Sequence, residues 1–244
     1  MSLLQRDSPV PLYYQLKELI REQLLQSSPT PPDTRIPGEE ELASTYSVSR
    51  MTARQAVTQL VNEGVLYRRA GKGTFVARPK IERKLARLTG YYEEMGSRGL
   101  HPGTRVLKQS IVEAGRKLAQ LLAISPDDLV IRIFRLRLAD GEPMALQTVH
   151  VPNCRCPALV NDDLTKFSLY QLLEQKYGLK LGHAQERISA SVASRQQALL
   201  LAVPKDAPLL QIERLTFLDS DVPIEYVESL YRADRYVYTA TLFR

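Results

Sequence analysis

Hydrophobic positions recur at helical spacing near the start of the chain and alternate like strands further on. In PLYYQLKELIREQLLQS (11–27), Leu12, Leu16, Leu19, Ile20 and Leu24 share one face, which predicts an amphipathic helix. GEEELASTY (38–46) predicts a short second helix. Ala53, Ala56, Val57, Leu60 and Val61 then form the buried stripe of a third. Met51, Gln55, Thr58 and Asn62 point away from that stripe, with Thr52 and Arg54 on its flanks. Ser49 suits the N-cap and leaves Arg50 at an exposed N-terminus. Val65–Arg69 and Thr74–Ala77 alternate as two strands around the turn Ala70-Gly71-Lys72-Gly73. The few residues between the second and third helices fit a helix-turn-helix, and the basic hairpin behind it fits a wing.

After the charged segment containing RPKIERK, a helix is expected from Leu85 to about Arg98, ended by Gly99 and Pro102. Six alternating runs follow: 104–114, 128–139, 143–151, 185–193, 209–218 and 224–232. Short helices at 114–122, 169–177 and 194–201 interrupt them. This order predicts an antiparallel sheet flanked by helices, in an α+β chain of two domains: 1–78, a linker at 79–84 with its hinge near Pro79, and 85–244.

Composition sharpens this picture. A chain of 244 residues with 44% hydrophobic content can bury one small and one medium core. The net charge of +6 is uneven: Gly64–Arg87 holds eight Lys or Arg against the single Glu82. A basic segment at the wing and linker points to nucleic acid. No run of about eighteen apolar residues occurs, and MSLLQRDSPV has neither a basic n-region nor an apolar h-region, so a cytoplasmic protein without membrane association is expected. His150, Cys154 and Cys156 are too few for a zinc site, and no phosphate loop or nucleophile–base motif stands out, so neither metal, cofactor nor catalysis is expected.

In the second half, Arg135 and Arg137 lie two apart on one strand and share a face, either as an anion clamp or as part of a solvated outer surface. Ser168 precedes a helix with Leu169, Leu172, Leu173 and Tyr177 on one side, as an N-cap beside a possible anion site. Glu225, Val227, Ser229 and Tyr231 share a strand face, so Glu225 and Tyr231 could hold the uncharged polar part of the same ligand. A surface strand or a dimer contact would use the same pattern.

Residues 9–76 resemble the winged helix-turn-helix of the GntR family of bacterial transcription regulators through PLYYQLKELIREQL, RIPGEEELA, VSRMTARQAV and GKGTF. The resemblance implies DNA contacts from Arg50, Thr52 and Arg54, with Gly71, Lys72 and Gly73 at the wing tip. Arg35, Ser49, Met51, Gln55 and Arg69 complete the candidate DNA-binding set. Glu40 departs from the family, which often carries a basic or neutral residue there; a carboxylate repels phosphate unless a nearby Arg pairs with it. Residues 85–244 resemble the UTRA domain of the HutC branch through LTGYYEEM, RIFRLRLADGEPMALQTVHVP, SLYQLLEQKYG, PLLQIERLTFLDSDVPIEYVESLYRADRY and TLFR. That resemblance implies a chorismate-lyase-like fold and an effector site. Arg135 and Arg137 would bind the anion, helped by Ser168, Tyr170 and Thr89. Gln147 stands where relatives that recognise aminosugar phosphates often have glutamate, and an amide offers no carboxylate to an ammonium.

The expected function is therefore a repressor that binds duplex operator DNA as a homodimer and answers to a small anionic metabolite. A phosphosugar is favoured, with a carboxylate such as urocanate or a phosphonate as alternatives. A lyase-like enzyme is the remote alternative.

Overall fold

The structure, a computed structural model, describes residues 4–25, 30–69, 71–78, 80–84 and 87–242. Ala70 and Pro79, and with Pro79 the expected hinge, lie outside the described residues. The chain divides into two compact units, Met1–Ile81 and Glu82–Arg244.

The first unit packs α1 (Leu12–Leu25), α2 (Glu39–Tyr46) and α3 (Arg50–Asn62) around Leu16, Ile20, Leu42, Ala53, Ala56, Val57 and Leu60. Ser47 takes a left-handed conformation (φ 52°) at the end of α2, which turns the chain sharply enough for Ser49 to cap α3. Lys17, buried in α1, meets Glu63 just beyond α3 at 3.0 Å. Strands β1 (Leu66–Arg69) and β2 (Gly73–Val76) form an antiparallel hairpin whose Leu66 and Val76 join the same core.

In the second unit, two elements differ from the expectation. Of the helix expected from Leu85 to Arg98, Leu85 and Ala86 lie outside the described residues, and the described part is helical only in α4 (Tyr91–Gly96), where the extended Gly90 (ψ 161°) serves as the N-cap. Part of the expected linker is β3 (Ile81–Lys84), which pairs with a C-terminal strand near Tyr236–Thr239 that alternation had not signalled. Each of these strands has only four residues, and their pairing spans most of the chain, so neither has a local signature.

The main sheet is antiparallel, with strand order β4-β5-β6-β9-β8-β7. In chain order these are β4 (Pro102–Glu113), β5 (Leu129–Ala139), β6 (Glu142–Pro152), β7 (Leu181–Val192), β8 (Pro208–Leu218) and β9 (Pro223–Arg232), with Tyr236–Thr239 as β10. Two meanders therefore meet where β6 pairs with β9.

Both faces are covered. Helix α5 (Gly115–Leu122) packs on Val130 and Tyr226, and α7 (Arg195–Leu201) on Leu136 and Leu146. On the opposite face, Ile131, Ile133, Val149 and Val227 pack beneath α6, which starts as α-helix at Leu169–Gln171 and continues as π-helix at Leu172–Lys176. A strand buried on both sides loses simple apolar–polar alternation, which explains why β5 reads LVIRIFRLRLA.

Candidate functional site

In the first unit, the α3 surface opposite the buried stripe presents Arg50, Met51, Arg54 and Gln55, all exposed. Thr52 is half-buried. The Ser49 hydroxyl accepts the Thr52 N–H at 3.0 Å and lies 2.8 Å from the Thr52 hydroxyl, so this pair builds the helix start before anything else. Glu40 meets Arg50 at 2.8 Å, the pairing that relieves its repulsion of phosphate. Both side chains are well exposed, so the pair is weak and exchangeable.

The remaining candidates gather on the wing. Arg69 lies over the stacked Tyr67 and Phe75 rings, at 5.9 and 5.8 Å. Arg35 bridges to Phe75, and a Cβ added at Gly73 (φ 117°) would come within 3.0 Å of the Arg35 Nε. Gly71 (φ 68°) needs its left-handed turn but has open space around it, as a tip must. Arg68 is held back by Glu39 and Thr58, each at 3.0 Å, so its charge is already engaged.

In the second unit, Thr89, Arg135, Arg137, Gln147, Ser168, Tyr170, Glu225 and Tyr231 all line one cavity. The register explains why: Arg135 pairs with Gln147 and Gln147 with Ser229, so a single row of side chains crosses β5, β6 and β9 beneath α4 and α6. The cavity measures about 30 Å³, room for little more than water. Gly90, Ser168 and Tyr170 also line a neighbouring cleft of about 450 Å³.

The arginines differ. Arg137 donates to the Gln147 Oε1 at 2.7 Å and to the Thr104 hydroxyl at 2.6 Å, and stands 4.8 Å from the centre of the Tyr91 ring. The Gln147 amide nitrogen in turn donates to Ser229 and Tyr231 at 3.2 and 3.3 Å. Arg135 is just as buried, at 3% exposure, yet its Nε and Nη1 have no hydrogen-bond partner among the described residues. Burial, with Arg137 close by, pulls its pKa down to about 9, so it remains a cation at neutral pH. The solvated-face reading of these arginines is thereby excluded. Ser168 occupies the N-cap position of α6, but its side chain makes no capping bond.

The sequence did not single out Arg83, Arg214, Glu94 and Glu186. Arg214 donates to Glu186 at 2.6 Å and to the Tyr170 hydroxyl at 3.2 Å; Tyr170 donates to Glu225 at 3.1 Å. Thr216 also donates to Glu225, at 2.9 Å. Burial raises the pKa of Glu225 despite these donors, and burial likewise raises that of Glu186. Arg83 and Arg214 thus share Glu186, Arg83 and Arg98 both lie beside Glu94, and Arg135 and Arg137 line the same cavity as Glu225. The two-residue spacing of Ile212, Arg214 and Thr216 was a usable signal for Arg214; Arg83, inside an apparent linker, gave none.

Cys156 is buried, and its thiol is pushed up to about 12 chiefly by that burial, while Cys154 is exposed. Among the described residues no helix is long and apolar enough to cross a membrane.

The chain matches the bacterial regulatory proteins of the gntR family over residues 12–76 and the UTRA domain over residues 97–237. It is 36% identical over 235 residues to the HTH-type transcriptional repressor NagR of Bacillus subtilis, covering 96% of each chain. It is 28% identical over 229 residues to the mannosyl-D-glycerate transport/metabolism system repressor MngR of Escherichia coli, covering 94% of this chain and 95% of that one. The crystal structure of PhnF from Mycobacterium smegmatis superposes with a TM-score of 0.67 at 29% identity, over 93% of this chain and 99% of that one. With both domains matched in order and a relative this similar along nearly its whole length, the chain belongs to the GntR family of transcriptional regulators, in the branch that carries a UTRA domain.

Proposed function

We propose that this regulator is a homodimeric repressor whose affinity for operator DNA is changed by a small anionic metabolite bound in the cavity at Arg135, with a phosphorylated sugar as the favoured class. The observation that carries this reading is the buried Arg135 guanidinium with two donor nitrogens unpartnered among the described residues. A buried charge without a partner costs several kcal/mol unless an anion meets it. Glu225 and Tyr231 offer hydroxyl-recognising groups beside it. The relative named for a mannosyl-D-glycerate system supports a sugar-derived ligand.

On this reading Arg137 and Gln147 shape the cavity floor, and Arg135, Ser168 and Tyr170 meet the anion. The exposed face of α3 enters a major groove, with the wing against the flanking backbone, and two copies read a roughly palindromic site. A thermal-shift screen against phosphosugars, phosphonates and urocanate tests this, with each hit titrated into the complex with DNA from upstream of the regulator's own gene. A compound that stabilises the wild-type protein, does not stabilise Arg135→Met, and changes DNA affinity supports the reading. Hits that ignore Arg135 sink it.

A further inference from the structure

Arg83 is the third residue of β3 and lies two positions beyond Ile81, the last residue of the DNA-binding unit. It is 5% exposed and lines the same cavity as Arg135. Its Nη1 donates to the Tyr238 hydroxyl at 2.9 Å, its Nη2 to Glu186 at 3.2 Å, and its Nε lies 3.7 Å from Glu94. Glu186 is shared: the oxygen that accepts from Arg83 also accepts from Arg214, which donates to Tyr170, which donates to Glu225. A continuous polar path therefore runs from the wall of the cavity to the strand that leads into the DNA-binding unit. That strand is held by a two-stranded pairing of four residues with β10, an arrangement with little stability of its own. Among the described residues, its side-chain anchors are the Arg83 fork, the Arg98 bond to the Glu82 carbonyl and the Thr239 bond to the Glu82 carboxylate.

We propose that Arg83 is the coupling residue: an anion bound at Arg135 competes with Glu186 and Glu94 for the Arg83 guanidinium, and β3 shifts with it at the entry to the DNA-binding unit. This inference rests on the anion-binding reading of the cavity, but its first test needs no ligand. Glu186→Gln loosens one anchor of Arg83, so in the full chain, without added metabolite, it shifts affinity for the upstream DNA at least fivefold, the lower end of ordinary allosteric coupling. Adding Arg83→Gln to Glu186→Gln removes most of that shift. Unchanged DNA affinity in folded Glu186→Gln overturns the proposal, as does a double mutant in which the two effects simply add.

The second test uses Arg83→Lys, which keeps the charge but cannot reach Tyr238, Glu186 and Glu94 together. With glucose 6-phosphate and inorganic phosphate as probes, calorimetry fixes the concentration that saturates each protein, so that wild type and Arg83→Lys are compared at equal occupancy. The ratio of DNA affinities with and without the probe that binds should fall towards one. A purely structural Arg83 would lower thermal stability and leave that ratio unchanged. If neither probe binds wild type, the phosphosugar reading is weakened while the ligand-free experiment still decides the role of Arg83.

Discussion

Arg135 and Arg137 share a strand, a face and a degree of burial, yet they play different parts because one is satisfied and the other is not. Replacing Arg135 by Met removes a buried charge with unmet donors. The variant should be more stable than wild type by about 1–3 kcal/mol in thermal or denaturant unfolding, while metabolite response is lost. A destabilised Arg135→Met would mean that the guanidinium is structural. Glu225 gives the complementary test through pH. Its folded-state pKa is raised by burial, so the native state holds its proton longer than the unfolded chain does. Stability is free of this penalty below the ordinary carboxylate range, declines as pH rises from about 4 through the raised value, and stays lower beyond it. Glu225→Gln should flatten that decline in a series of melts across pH.

Among the elements, the wing and the recognition helix invite different experiments. Gly73 combines φ 117° with the Arg35 side chain 3.0 Å from any added Cβ, so Gly73→Ala strains the hairpin and displaces Arg35. It should weaken DNA binding several-fold in a mobility-shift titration without changing metabolite affinity. On the helices, Glu40→Gln frees Arg50 from an exposed pair worth at most about 1 kcal/mol. DNA affinity should rise and its dependence on salt should steepen, as one more cation becomes available to phosphate; a flatter salt dependence would count against Arg50 as a phosphate contact. These elements were legible because their cues are local: a stripe at helical spacing, a Ser cap, and glycines in a basic turn. Strand-like runs bounded by turn residues likewise placed the six strands of the main sheet, with β7 starting at Leu181, four residues before the expected run. Strands β3 and β10 escaped because four residues carry too little pattern and their partners lie far apart in sequence. Among the described residues the helix expected from Leu85 begins only at Tyr91, because Gly90 is extended and caps it. In the cavity, the face of β5 was legible from spacing and its burial was not, since nothing local says that α4 and α6 cover it.

For the molecule as a whole, two compact units separated at Ile81 and Glu82 make binding and reading separable properties. A metabolite that binds only the second unit should raise the unfolding temperature of that unit directly. The first unit should gain only what the coupling transmits, so calorimetry should resolve two transitions that move by unequal amounts. Operator DNA, by reciprocity, must change metabolite affinity by the same factor as the metabolite changes that of DNA.

The small size of the cavity has a consequence in time. At about 30 Å³ it falls far below the roughly 300 Å³ at which small-molecule pockets begin, while Tyr170, Ser168 and Gly90 stand between it and the larger cleft. For the ligand proposed above to fit, that wall must be displaced, so the fraction of molecules with the wall open would scale the apparent affinity. In stopped-flow mixing the observed rate should therefore level off with rising ligand instead of climbing in proportion. The plateau would measure how often Tyr170 swings aside, and so set an upper limit on how promptly bound DNA could respond to the proposed ligand.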